Sequence, residues 1–202
     1  MELATSITTQ ETARPIAGAT FFPRAMAQII DLVVHNVVLG ATALINGFLI
    51  GVLALLLGQP ATHFTTKLQG HTIIFGICAL LGYTMYHTIC EWLNGATLGK
   101  LILRIYVRQE DGSPCRPGPA FIRSLALLLD SLFLGLIAAL SMRSSDLKQR
   151  LGDQWAHTVV VERSRANLDQ RPSGWQFLLV FLLAIMVDMG LYAALLWAVV
   201  LF

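Results

Sequence analysis

Residues 120–142 read AFIRSLALLLDSLFLGLIAALSM, an apolar run broken by Arg123 and Asp130, with Gly135 past its middle. Whether this run crosses a membrane or enters and returns decides the fold. A crossing helix needs about 20 mostly apolar residues, and the run is long enough. Its charges argue the other way, because each costs at least about 2.5–3.5 kcal/mol at the bilayer centre. Three other runs qualify more simply: 25–58, 71–92 and 175–202. The first exceeds what a span needs, so its opening turns, with Asp31 and His35, are expected at the interface or in a protein-lined cavity. Gly58-Gln59-Pro60 then stops it, since proline cannot continue a helix. Trp92 is positioned as an interfacial anchor at the end of the second run.

Orientation follows from Lys and Arg. The 59–70 connection contains Lys67 alone, whereas 94–119 contains Lys100, Arg104, Arg108 and Arg116. The 141–173 connection contains Arg143, Lys148, Arg150, Arg163, Arg165 and Arg171. The positive-inside rule asks for both basic connections in the cytoplasm, which a single crossing by 120–142 forbids. Two readings compete. In one, the run spans and the last basic connection lies outside. In the other, it forms a hairpin bent near Gly135, whose arms of about 10 residues reach roughly 15 Å, half the hydrocarbon depth. Such a segment is tolerated where protein buries it. The hairpin is favoured by LRIYVRQ at 103–109 and HTVVVE at 157–162, β-branched runs that flank 120–142 and pair only if they share a side. Asp111-Gly112 supplies the turn signal after the first.

Composition fits this class. Of 202 residues, 55% are hydrophobic and 13% charged, against about 25% charged in a soluble domain. Mean hydropathy is +0.66. A cytosolic globule and a disordered chain are excluded, and three cysteines, with Cys78 and Cys90 inside apolar runs, make no disulfide scaffold. A net charge of +2 is too small for nucleic-acid binding. Residues 1–20 lack a basic cluster followed by an apolar core, so no cleavable signal peptide is read there. The expected fold class is therefore an all-α integral membrane bundle. It has three full transmembrane helices, a short third membrane segment that spans or re-enters, and a small cytoplasmic β-like cap. The expected organisation is a mobile cytoplasmic tail over 1–21, a membrane domain over 22–162, a polar connection over 163–173 and a terminal transmembrane helix over 174–202. The expected location is a bacterial-type inner (plasma) membrane with the N-terminus cytoplasmic.

Three pieces of the chain together resemble the RDD family of membrane proteins. The first is Pro23-Arg24-Ala25 running into Asp31. The second is Glu91-Trp92-Leu93-Asn94-Gly95-Ala96-Thr97-Leu98-Gly99-Lys100 with Arg104 and Val107, similar to the family's E…G-x-T-x-G-K…V stretch. The third is Arg123 with Asp130, then Gln149-Arg150-Leu151-Gly152-Asp153 and Thr158-Val159-Val160, similar to its R-L-G-D…T-V-V segment. The interval before R-L-G-D is shorter than usual, His157 stands where a small residue is common, and the helix after 174 lies beyond the matched region. The resemblance implies a fold more than a reaction: cation/proton exchange has been proposed for some members and membrane assembly for others.

The intramembrane charges are the candidate site. Asp31 and His35 are spaced i, i+4 and share a helix face, with Arg24 seven residues earlier. His87 and Glu91 repeat the i, i+4 spacing, and Arg123 and Asp130 the seven-residue one. One reading makes these structural pairs, Arg24 with Asp130 or Asp31 with Arg123, and Asn46 polar glue between helices. The other makes Asp31, His35, Glu91 and Asp130 proton or ion ligands, with Arg24 and Arg123 as counter-charges, because a desolvated carboxylate beside an imidazole exchanges protons near neutrality. Asp31, His35, His87 and Glu91 also have ligand types suited to a divalent metal, but no tight signature, so neither metal nor cofactor is assigned. Asp188 has no basic partner in its own helix and must reach across or carry a proton. Gly95-x-Thr97-x-Gly99-Lys100 lacks the phosphate-loop spacing and reads as a tight helix exit, with Lys100 and Arg104 available to anionic lipid headgroups. Gly47 and Gly51 fit G-x-x-x-G and point to close helix packing or a dimer. Ser124, Ser131, Ser141, Cys90 and the Asp153/His157 pair carry no catalytic context, so no enzyme activity is expected. The partners expected are the bilayer, anionic headgroups and a second copy or another membrane protein.

The hairpin makes a direct prediction. A cysteine at Ser144 is expected to react with an impermeant thiol reagent from the cytoplasmic side of oriented vesicles; labelling only from outside requires a full crossing.

Overall fold

The computed structural model describes residues 17–131, 135–163 and 173–201. Most of the expected tail, the bend at 132–134 and most of the 163–173 connection lie outside the described residues. Three helices are long and apolar enough to cross a membrane: α1 (Phe21–Leu56), α3 (Thr72–Asn94) and α8 (Gly174–Leu201). Along α1 the buried residues Arg24, Ala27, Asp31, His35, Thr42, Asn46, Ile50 and Ala54 recur every three or four positions. That spacing draws one narrow stripe down the helix, and it faces α3 and α8. The opposite side shows Leu32, Val37, Leu44 and Phe48 at the surface, as a lipid-facing helix must. α3 and α8 share the largest helix–helix interface.

α2 (Ala61–Gln69) lies in the connection after α1, where too few apolar residues stand out for a sequence reading to mark a helix. Its Phe64 packs with Ile50, Ala54, Leu196 and Val200, closing the bundle at the end remote from the cap. At the other end Gly95 adopts a left-handed conformation (φ 67°) that terminates α3, a geometry that favours glycine. The chain turns there into α4 (Leu98–Ile102), capped by the Thr97 hydroxyl, which accepts the backbone N–H of Lys100.

The 120–142 run is not one helix. It divides into α5 (Pro117–Ser131) and α6 (Leu136–Ser144), and Gly135 stands at the start of α6 with φ 83°. Strands β1 (Ile105–Gln109) and β2 (Thr158–Glu162), one on either side of this run, pair antiparallel in the register Val107 to Val160. Both ends of the run are therefore at one end of the molecule, as the hairpin requires and a straight crossing does not allow. α7 (Leu151–Trp155) packs on α5 just before β2. Ile105, Val107 and Val160 meet Ala19, Ala27 and Ala120 on one side of the ribbon, while Tyr106, Val159 and Val161 meet Ala96 on the other. Burial on both faces, at about 1.5–3 kcal/mol per large aliphatic side chain, lets a two-stranded sheet persist. The N–H of Ala19 donates to the carbonyl of Val160 at 2.7 Å, tying the start of α1 to the cap.

Gly99 is the closest point of this arrangement. A Cβ there would stand 2.1 Å from the carbonyl oxygen of Ala27 and 3.0 Å from Asp31 Cγ. Gly99→Ala is expected to push α4 off α1 and lower stability by about 1–3 kcal/mol, the usual range for overpacking. Gly118→Ala, where a Cβ meets nothing within 4 Å, is the matched control in a detergent thermal-unfolding assay.

Candidate functional site

Beneath the cap, charges from five elements meet out of water. Arg123, on α5, donates from Nε to Glu91 Oε2 at 2.9 Å and from Nη1 to Asp153 Oδ1 at 2.6 Å. The same Nη1 reaches the Thr158 hydroxyl at 2.7 Å, so the hairpin arm holds α3, α7 and β2 together. Asp153 also accepts from Arg24 of α1 and, at 3.1 Å, from the backbone N–H of Arg150. This last bond closes a capping arrangement at the start of α7. Glu91 is further paired with Lys100, and His87 Nδ1 stands 3.5 Å from its Oε1. Asp130 faces Arg150 at 3.8 Å. Gly152 makes the approach possible: a Cβ on it would lie 2.7 Å from that of Ala126, on the helix that carries Arg123.

Among the described residues Asp31 takes no charged partner. It accepts the Tyr86 hydroxyl at 3.0 Å, the Thr97 hydroxyl at 2.6 Å and the Gly99 N–H at 2.8 Å. A carboxylate given three good donors is held by hydrogen bonds alone, and here they pin α4 to α1 and α3.

The expected pairs Arg24–Asp130 and Asp31–Arg123 are replaced by Arg24–Asp153 and by Arg123 with Glu91 and Asp153. Seven-residue spacing specifies a helix face, and the neighbour opposite that face is set by the hairpin. Lys100 turns inward to Glu91 and is 5% exposed. Asp31, His35, His87 and Glu91 do not gather, and among the described residues no three His, Cys, Asp or Glu side chains form a metal-holding group. Asn46 does join helices, accepting the Trp197 indole N–H at 2.8 Å. Tyr86 escapes the sequence reading, and Thr158 is marked there only as a motif residue. Tyr86 precedes His87 by one position, and only its hydroxyl inside an apolar helix signals a polar role.

A second, smaller constellation lies deeper. His35 Nδ1 is 2.7 Å from Asp188 Oδ2, joining α1 to α8 near the midpoint of α8. The Tyr83 ring lies 5.0 Å from that of His35 and 4.6 Å from that of His87. Asp188 Oδ1, the Tyr83 hydroxyl and His87 Nε2 are buried without a hydrogen-bond partner among the described residues. Arg24 Nε, Arg123 Nη2, Asp130 Oδ1 and Arg150 Nε of the cap network are also without a partner among the described residues, but each of those side chains faces a group of opposite charge.

Burial alone works to raise the Asp153 carboxyl; the guanidinium groups of Arg123, Arg24 and Arg150 overcome it and hold the group well below the usual carboxylate range. A depressed folded-state pKa contributes stability that is complete above the ordinary value of 3.8 and is lost as pH falls through the lower one. Asp153→Asn is expected to cost about 3–5 kcal/mol at neutral pH, as the loss of one partner of a buried pair does. The gap in melting temperature between the parent chain and this variant should be constant above about pH 5 and narrow below about pH 4. A gap that widens on acidification contradicts the assignment.

Comparison with known proteins accords with this geometry. No curated protein and no solved structure matches the chain. A family model described as the RDD family matches residues 18–157, from the turn that ties α1 to the cap to the residue before β2. It contains every charge of the cap network and leaves out α8, so Asp188 comes from outside it. On a match over more than half its length, and with three apolar helices of spanning length, this multi-pass integral membrane protein belongs to the RDD family.

Proposed function

We propose that this chain exchanges protons for a small cation across the membrane and performs no covalent chemistry. The observation that carries this reading is the His35–Asp188 pair, buried between α1 and α8 at 2.7 Å with one carboxylate oxygen unpartnered. With one proton shared between them, imidazole and carboxyl are neutral together. Loss of that proton leaves one negative charge in a low-dielectric setting, which a small cation neutralises. Proton and cation then compete for one carboxylate, the elementary requirement of exchange. The reading keeps His35 of the expected ligands, adds Asp188, and drops Asp130 together with Asp31 and Glu91, which the hydrogen bonds and ion pairs beneath the cap engage.

The buried stripe of α1 supplies a path. Arg24, Asp31, His35, Thr42 and Asn46 form a file of polar side chains from the cap into the bundle, ending at apolar Ile50 and Ala54. In the proposed cycle the cluster of Ile50, Phe64, Leu196 and Val200 must part for the site to reach the remote side. The basic connections favour a cytoplasmic cap and N-terminus in a bacterial-type plasma membrane.

A specific observation favours a second reading, a scaffold that assembles with itself or another membrane protein. Arg24, Lys100, Arg123 and Arg150 are matched by Asp31, Glu91, Asp130 and Asp153, a balanced set suited to holding shape. Gly47 and Gly51 have open space where a Cβ would stand, so a second helix can approach.

Vesicles containing the purified protein and an interior pH dye separate the two when Na⁺, Li⁺ and K⁺ are pulsed in turn. Exchange predicts flux that Asp188→Asn abolishes while its gel-filtration profile is unchanged. Asp31→Asn, which breaks a structural lock, is expected to broaden that profile. Flux retained in a folded Asp188→Asn protein removes the pair from the mechanism, and absence of flux with every cation favours the scaffold.

A further inference from the structure

Between the first turns of α1 and the hairpin lies a cavity of about 280 Å³. Its polar lining is Gln28 with Arg24, Asp130 and Arg150, the last three 4%, 2% and 7% exposed. Among the described residues Arg24 Nε, Arg150 Nε and Asp130 Oδ1 have no hydrogen-bond partner. Buried polar atoms are satisfied in the great majority of cases, and each orphan is costly. Two N–H donors and one carboxylate oxygen without a partner, all on residues that line a single cavity, suit a ligand with both an acceptor and a donor.

The walls say where that ligand comes from. Phe21, Ile29 and Leu32 line the cavity and are also exposed on the flank of α1. That flank is apolar and continues into the lipid-facing side of the helix, so the mouth opens sideways, toward hydrocarbon. The floor has both charge signs within a balanced network, which favours a zwitterion over an anion. The Asp130–Arg150 separation of 3.8 Å is too long for a hydrogen bond between them, although Arg150 Nη1 donates to Gln28 at 3.5 Å.

We propose that this cavity binds a phospholipid with a primary-ammonium headgroup. The phosphodiester oxygens accept from Arg24 and Arg150, the ammonium donates to Asp130, and the acyl chains lie along Phe21, Ile29 and Leu32. A choline headgroup lacks the N–H to donate, and a glycerol headgroup lacks the positive charge, so both are weaker ligands. This site is independent of the exchange reading, since it lies at the hairpin and uses neither His35 nor Asp188.

The test is native mass spectrometry of the full chain in detergent, offered equal amounts of phosphatidylethanolamine, phosphatidylcholine and phosphatidylglycerol with identical chains. The parent protein is expected to retain the ethanolamine lipid about tenfold over the others, the scale of one charge-assisted hydrogen bond. Asp130→Asn should erase that preference. Because Asp130→Asn also unpairs Arg150, Ala25→Phe serves as the second variant: it fills the cavity from its wall without touching a charge, and should lower retention of all three lipids. Equal retention of the three by the parent, preference for the glycerol lipid, or undiminished retention in Ala25→Phe overturns the proposal. So does full displacement by O-phosphoethanolamine alone, which makes the ligand a soluble phosphoester.

Discussion

Arg123 holds two carboxylates from separate elements at once, Glu91 of α3 and Asp153 of α7, with its whole side chain out of water. A buried guanidinium has no tolerable alternative to being paired, and the same is true of each carboxylate it serves. Arg24 then couples Asp153 to α1, and Lys100 couples Glu91 to α4. Each member is satisfied only when the hairpin arm, the cap and both helices are in place, so elements distant in sequence assemble as one unit. Such a network adds little net energy over apolar packing. What it imposes is exclusion of alternatives, because a slipped hairpin strands several charges together.

The two polar constellations differ in how their charges are paired. Around Arg123 nearly every charge has a close partner of opposite sign. Around His35 and Asp188 one pair is surrounded by aromatic rings and unpartnered polar atoms. A mesh of several opposite charges suits a fixture, and a lone carboxylate–imidazole pair suits a site where a proton or ion comes and goes. The division also follows the family boundary: the fixture lies within the matched residues, and the deeper pair needs α8, which is outside them. Gly82 marks the fit of α8, since a Cβ there would fall 1.9 Å from Asp188 Oδ1.

Much of the architecture is legible without coordinates because bilayer insertion imposes simple rules. The three spans are read from uninterrupted apolar length, and their ends differ from those expected by a few residues. The returning third run is legible for a subtler reason: basic residues on both sides of it, and two β-branched segments that pair only if it returns. The glycines of 95–99 and 152 are conspicuous as motif residues. Their physical roles, a left-handed helix end and two close approaches, appear only when the neighbouring backbones are known. α2 was illegible because an interfacial helix of mixed composition has neither a long apolar run nor a cap signal.

The sequence by itself determined the class, the spans and the set of charged residues that must be buried, because each follows from composition or local period along one chain, and it favoured the return of the 120–142 run without deciding it. The partner of each charge was decided by the tertiary structure alone. Arg24 was placed correctly on the inward face of α1, yet whether that face meets Asp130 or Asp153 depends on how α5 and α7 lie across it. Asp188 was known to need a partner, and only the packing of α8 against α1 selects His35. Helical periodicity carries the direction of a side chain, while the identity of what it meets is a property of two elements and the angle between them.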